Sequence, residues 1–184
     1  DFESGAISPD WQLAHPTGGG FNWVITQECS AYGAGNFSMK FDNYWIDAQG
    51  NRDEIWLDKI NVVNGSLEFD VAYAEYGVPY SDTLAVLLST DCGVTWNELW
   101  VKGGDDLATA PDNTNAFIPA ASEWRHEAID LTAFDGGEVI IAFQNRGRYG
   151  NQLYVDNINV QTNFSVEDAD NSKWMCYPNP ATDR

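Results

Sequence analysis

Basic residues are scarce in this chain: nine Lys and Arg stand against 28 Asp and Glu, a net charge of −19 over 184 residues. A field of that sign repels phosphate and argues against nucleic acid or an anionic membrane as a partner. Long apolar runs are also missing. No stretch reaches the roughly 18–20 residues of a membrane span, and no secretory signal is read at the N-terminus. Only two histidines occur, His15 and His126, far apart and outside any HExxH pattern, which excludes the usual zinc-protease arrangement. The serine-hydrolase elbow GxSxG is absent. Cys29, Cys92 and Cys176 form no CxxC and no Cys/His cluster, so a structural zinc site is disfavoured. Cys29 and Cys92 could form a bridge in an oxidising compartment or stay as two buried free thiols. With 28 acids, no particular carboxylate pair stands out for glycoside hydrolysis. The chain reads as non-catalytic.

What is abundant is aromatic and β-forming. Hydrophobic residues make up 43% of the chain and Trp occurs eight times, enough for one sizeable core. Period-2 alternation predicts strands over 36–42, 54–60, 66–74, 82–89, 95–101, 124–131, 138–145 and 152–160, with shorter ones at 1–3 and 21–26. Glycine-rich turns separate them, at residues 18–20, 64–65, 91–93, 103–104, 135–137 and 147–150. About ten short strands with such punctuation describe an all-β protein, an antiparallel β-sandwich of jelly-roll type. The polar stretch 103–123 is either functional or an excursion across one end of the sandwich.

Residues 89–96, STDCGVTW, carry the Ser-x-Asp-x-Gly-x-Thr-Trp spacing of the Asp-box found in propeller blades. A propeller needs several such blades, and no internal repeat is visible. Asp91 therefore reads as a hairpin builder that accepts backbone N–H groups, with Gly93 at positive φ and Trp96 packed beneath.

Several stretches in order, DFESGAISPDW, SLEFDVAYAEY, SDTLAVLLSTDCGVTWNELWVKGGDDLAT, EWRHEAIDLTAF and YGNQLYVDNINV, resemble jelly-roll modules of the cleaved-adhesin and choice-of-anchor type. These are relatives of the MAM domain found in large secreted bacterial proteins. The resemblance covers residues 1–160 and implies a module of 1–162. It also implies a calcium ion where the first strand runs beside the last. By position the ligands are Glu3, Asp156 and an oxygen from the Gly35-Asn36 turn, with Asp1, Asp42 and Asp47 less supported. The stretch 14–21 lacks the acids that such modules often carry there, so a second cation site is not expected.

The tail MCYPNPATDR resembles the opening of the C-terminal sorting domain of type IX secretion substrates, preceded by an acidic linker at 163–175. That implies export by the secretion machinery, with surface attachment or release. The chain, opening on Asp1 and closing on Arg184 within residues 176–184, is read as an excised piece of a larger secreted protein.

Two loop stretches offer rings and polar groups for a glycan. AEYGVPYSD supplies Tyr76, Tyr80 and Asp82; NRGRYGNQ supplies Arg146, Arg148, Tyr149 and Asn151. The Tyr44-Trp45 pair is a third candidate, one ring of which should face the core. The expected function is a calcium-stabilised extracellular module that binds polysaccharide or a cell-surface partner. The alternative is a spacer domain of a secreted enzyme, with no ligand of its own.

Overall fold

The structure, a computed structural model, describes residues 2–161; the linker at 163–175 and the YPNPA tail lie outside them. Two antiparallel sheets hold eleven strands. The six-stranded sheet runs β1 (Gln12–Ala14), β4 (Arg52–Trp56), β10 (Glu138–Arg146), β7 (Thr83–Ser89), β8 (Asn97–Gly103), with β5 (Ile60–Asn61) also paired to β10. The five-stranded sheet runs β2 (Val24–Thr26), β3 (Ser38–Asp42), β11 (Gln152–Gln161), β6 (Ser66–Tyr73), β9 (Arg125–Asp130). Apart from four single 3₁₀ turns, the described residues form no helix, and none is long and apolar enough to cross a membrane.

The alternation that identifies the strands also divides their faces. Ile55, Leu84, Val86, Leu88, Ile141 and Phe143 point inward from one sheet, and Met39, Phe41, Leu67, Phe69, Val71, Leu153 and Val155 from the other; all are fully buried. Phe69 meets Phe143 edge-on across the sandwich, with centroids 5.1 Å apart. At one edge Glu127 of β9 accepts from Lys102 Nζ at 2.6 Å and Trp100 Nε1 at 3.2 Å, both on β8, so the two sheets are clipped together where the core thins. The same contacts, with Arg125, hold its carboxyl below the usual range against a burial penalty.

The termini correct one expectation. Residues 2–6 form no strand, and the first strand, Gln12–Ala14, lies at the edge of the sheet opposite β11. Exposed edge residues (Gln12 and Leu13) carry little alternation to read. Phe2 is nevertheless buried against Trp11, their rings edge-on at 5.9 Å. Of the two alternatives for the cysteines the structure takes the free thiols, but not both buried: Cys29 is half-buried and Cys92 is exposed in the Asp-box turn. Cys29 lies 3.5 Å from Ser38 Oγ, and burial pushes its thiol up to about 11.

Candidate functional site

The two outer faces differ in what covers them. On the five-stranded sheet, Ala72, Ala74 and Tyr154 lie beneath Ala31, Phe117 and Trp124, which come from the segments at 29–36 and 103–124. The long polar stretch is therefore a roof. Phe117 donates its N–H to Asn151 Oδ1 at 2.9 Å, and Asn151 Nδ2 donates to the carbonyls of Asn113 and Asn115, at 2.7 and 3.0 Å.

The six-stranded sheet has no such roof among the described residues. Register places its outward side chains in three rows: Gln12, Trp56, Ala142, Leu87 and Glu98; then Ala14, Glu54, Gln144, Ala85 and Val101; then Arg52, Arg146 and Thr83. Rows two residues apart are separated by about 6.7 Å along the strands. Ala85, Leu87 and Ala142 form a low floor on which Trp56 and Trp96 lie, with ring centroids 4.9 Å apart and planes inclined at 52°. Small residues in the middle of strands leave the volume that two indoles fill.

A chain of polar contacts runs from these rings along the rows. Trp56 Nε1 donates to Glu54 Oε2 at 2.6 Å, and Gln144 Nε2 donates to Glu54 Oε1. Arg146 Nε donates to Gln144 Oε1 at 2.6 Å, and its Nη2 pairs with Glu98. Each group fixes the next, so indole, carboxylate, amide and guanidinium are held in set orientations before any ligand arrives.

The Asp-box supports this platform. Asp91 Oδ1 accepts the Thr95 N–H at 2.8 Å and the Ser89 hydroxyl at 2.8 Å, and Oδ2 accepts the Thr95 hydroxyl at 2.6 Å. The turn this makes puts Gly93, at φ +85°, against the Trp56 ring, where an added Cβ would sit 2.9 Å from the indole. Led by the Thr95 hydroxyl, those donors lower the Asp91 pKa from its ordinary 3.8 to about 2. Because the folded value is depressed, the stability it contributes is present above about pH 3.8 and is lost as pH falls through about 2. Asp91→Ala should melt lower than wild type at pH 7, and thermal melts should show that gap closing toward pH 2. A gap independent of pH would contradict the assignment.

The loops at one end of the sandwich bring together most of the tyrosines singled out from sequence. Tyr76 and Tyr80 lie 5.7 Å apart between centroids, and Tyr80 and Tyr149 6.1 Å apart, both edge-on. Tyr44 continues the series to Tyr76 at 6.2 Å and to Trp45 at 4.7 Å. Trp45 is 70% exposed, so it is a surface ring. Tyr80, Arg148 and Tyr149 line an open recess with Asp47 and Gln49.

Asp82 is placed elsewhere, which corrects its reading as a ligand contact. It is fully buried beneath these loops, where Oδ1 accepts the N–H groups of Arg148 (2.8 Å) and Gly150 (3.2 Å) and Oδ2 accepts Asn151 N–H (2.8 Å) and the Tyr73 hydroxyl (3.1 Å). Arg146 belongs to the sheet rows, apart from the recess. Trp56, Glu54, Gln144 and Glu98 were not singled out from sequence, and Trp96 only as packing beneath the Asp-box turn. The signal that points to them is alanine inside strands, at Ala85 and Ala142, opposite a tryptophan of the same parity.

The residues assigned to calcium share one loop. Glu3 accepts the Asn36 N–H at 2.9 and 3.0 Å, Asn36 Nδ2 at 3.1 Å and the Phe37 N–H at 3.2 Å, which hold its carboxyl low. Asp156 Oδ2 accepts the Ala31 N–H at 2.8 Å on the same loop, and Oδ1 accepts the N–H of Asn157 at 2.7 Å. Burial raises Asp156, the nearby Asp70 adding to it, against these two donors. Both carboxylates keep lone pairs beyond the N–H bonds they accept, so the donor set fits a hard cation in kind. Among the described residues no three His, Cys, Asp or Glu side chains gather, so a cation there would draw its remaining oxygens from backbone and water.

No protein-family model matches the chain, and no curated protein matches its sequence. Solved structures do match. The K1 cleaved adhesin domain of Lys-gingipain from Porphyromonas gingivalis W83 is similar with a TM-score of 0.63 and 19% identity, over 89% of this chain and 96% of that one. The Caldicellulosiruptor saccharolyticus module CBM27-1, solved with mannohexaose, is similar with a TM-score of 0.58 and 14% identity, over 88% and 94%. TmCBM61, solved with β-1,4-galactotriose, is similar with a TM-score of 0.54 and 15% identity, again over 88% and 94%. At such identities the likeness establishes the fold: this chain has the β-sandwich architecture of those adhesin and carbohydrate-binding modules.

Proposed function

We propose that the chain is a non-catalytic extracellular module that binds polysaccharide on the outer face of its six-stranded sheet. The observation that carries this reading is the unroofed pair Trp56 and Trp96 beside the ordered chain Glu54–Gln144–Arg146–Glu98. Indole faces stack on the C–H faces of sugar rings, while the exposed Glu98 carboxylate and the Arg146 guanidinium take hydroxyls and the buried Glu54 and Gln144 hold the ring and the guanidinium in place. The structural neighbours solved with mannohexaose and galactotriose make β-mannan and β-1,4-galactan the first polymers to try. Affinity gel electrophoresis should show retardation by at least one neutral or charged plant, algal or cell-wall polysaccharide. Free migration in all of them at high polymer concentration would favour the spacer reading.

The proposal extends to calcium and to export. Glu3, Asn36 and Asp156 would supply oxygens that pin the 30–37 loop between the N-terminal segment and β11, and an ion binding only the folded state would add its binding energy to stability. EDTA should then lower the melting temperature of the wild type by several degrees and leave Asp156→Ala unchanged. An EDTA-insensitive wild type would remove calcium from the reading. Export rests on the YPNPA tail, which lies outside the described residues.

A further inference from the structure

The basic residues of this acidic chain are not distributed evenly. Of the nine, Lys173 and Arg184 lie outside the described residues, which leaves seven. Five are matched to glutamates: Lys40 with Glu28, Lys59 with Glu138, Lys102 and Arg125 with Glu127, and Arg146 with Glu98. Only Arg52 and Arg148 have no carboxylate partner among the described residues, and both occupy the same end of the six-stranded sheet. Arg52 is the register partner of Arg146, and Arg148 follows two residues beyond it.

Arg148 is also held in place. Its N–H is fixed by Asp82 at 2.8 Å. Its Nε lies 3.5 Å from where a Cβ on Gly50 would be, and Gly50 N–H bonds the Gly147 carbonyl at 2.8 Å, so the loops at 47–51 and 147–150 are zipped together beneath the guanidinium. Gly150 permits this, because any Cβ there would collide with the Asp82 carboxylate. Beside Arg148 are Tyr80 and Tyr149, 41% and 46% exposed, which form the wall of a recess of about 570 Å³. That volume lies within the range of small-ligand sites, roughly 300–1,000 Å³.

Resting on the glycan reading, we infer that this loop-end recess recognises a carboxylate-bearing sugar, a uronate unit of an acidic polysaccharide. The guanidinium fork matches a planar carboxylate bidentately. The tyrosine rings stack the sugar face, and Gln49 with Asp47 takes hydroxyls. Asp47 is the one acid in the recess, with Oδ1 already accepting the Gln49 N–H at 2.9 Å. A protein of net charge −19 repels polyanions from most of its surface. Screening confines that repulsion to roughly 8 Å at physiological salt, so an unpaired arginine at contact distance selects the acidic unit locally.

The test is isothermal titration with polygalacturonate, β-1,4-galactan and a sulfated galactan on wild type, Arg148→Gln, Asp47→Asn and Trp56→Ala. Polygalacturonate should bind the wild type about tenfold tighter than galactan. Arg148→Gln should remove that preference without changing the galactan affinity or the melting temperature. Asp47→Asn, with its acceptor kept and its charge removed, should tighten polygalacturonate severalfold. Equal binding of charged and neutral polymers, or an unaltered preference in Arg148→Gln, overturns the inference and leaves the sheet-face reading standing. Tighter binding of the sulfated polymer overturns the assignment to carboxylate. Polygalacturonate binding that Arg148→Gln abolishes and Trp56→Ala does not touch supports the recess and removes the sheet face. No binding to any polymer overturns both.

Discussion

Trp56→Ala is expected to weaken polysaccharide binding by about thirtyfold or more, the loss typical of a central aromatic anchor at an interface. The ring does three things at once in this structure. It offers a face on the open sheet, it donates Nε1–H to Glu54 at 2.6 Å, and it braces Trp96 at 4.9 Å. Removing it would leave a hollow over Ala85 and Ala142 and free the Glu54 carboxylate from one of its two donors. Trp56→Phe separates these roles: a ring remains but the N–H is gone, so the loss should be only severalfold. Truncating a half-buried Trp also costs stability, roughly 2 kcal/mol, or about 4–8 °C in melting temperature. Titration must therefore be done well below the melting point of the variant. Wild-type affinity in Trp56→Ala would show that the ligand lies elsewhere, and the loop-end tyrosines would become the primary site.

The strands were legible because a buried sheet demands alternation. SLEFDVAYA alternates over nine residues and EVIIAFQN is a β-branched and aromatic run, and both became long interior strands, Ser66–Tyr73 and Glu138–Arg146. The Asp-box turn was legible for a similar reason, since a carboxylate four residues before a Thr-Trp has few local partners other than the turn's own N–H groups. What could not be read was which outer face would be left open. That depends on where the segment at 103–124 folds, and Phe117 and Trp124 look no different in sequence from Trp56 and Trp96. Both pairs of rings cover strand alanines. One pair comes from a loop closed over the five-stranded sheet, and the other lies in a strand and a hairpin that no other segment among the described residues covers. The loop-end tyrosines were found because glycine-flanked rings have no core to fill. Asp82 was misassigned because burial is set by β7, on which it opens, and by Tyr73 across from it, not by the polar loop it appears to belong to in sequence.

Asp82→Ala should lower the melting temperature by roughly 10 °C, the largest single stability loss expected outside the apolar core. The reason is the number of donors left behind. Three backbone N–H groups, from Arg148, Gly150 and Asn151, and the Tyr73 hydroxyl converge on the two buried carboxylate oxygens. Orphaning a buried donor costs about 1–3 kcal/mol, and partial access of water after truncation brings the sum to roughly 3–5 kcal/mol. Asp82→Asn should fall between the two, since its NH2 would face donors at one oxygen position, and Tyr73→Phe should cost only about 1 kcal/mol. The pH dependence has a definite sign. Burial raises the Asp82 carboxyl above its usual range, against the opposing N–H bonds. A raised folded value means that the folded state holds the proton more tightly, so this contribution is complete below the ordinary aspartate pKa of about 3.9 and is lost as pH rises through the folded value. The stability gap between wild type and Asp82→Ala, measured by urea unfolding, should therefore widen on going from pH 7 to pH 4, opposite to the gap for Asp91→Ala. A gap that narrowed on acidification would mean that the three N–H groups outweigh burial, and that the loops carrying Arg148 and Tyr149 are held by a fully stabilised anion.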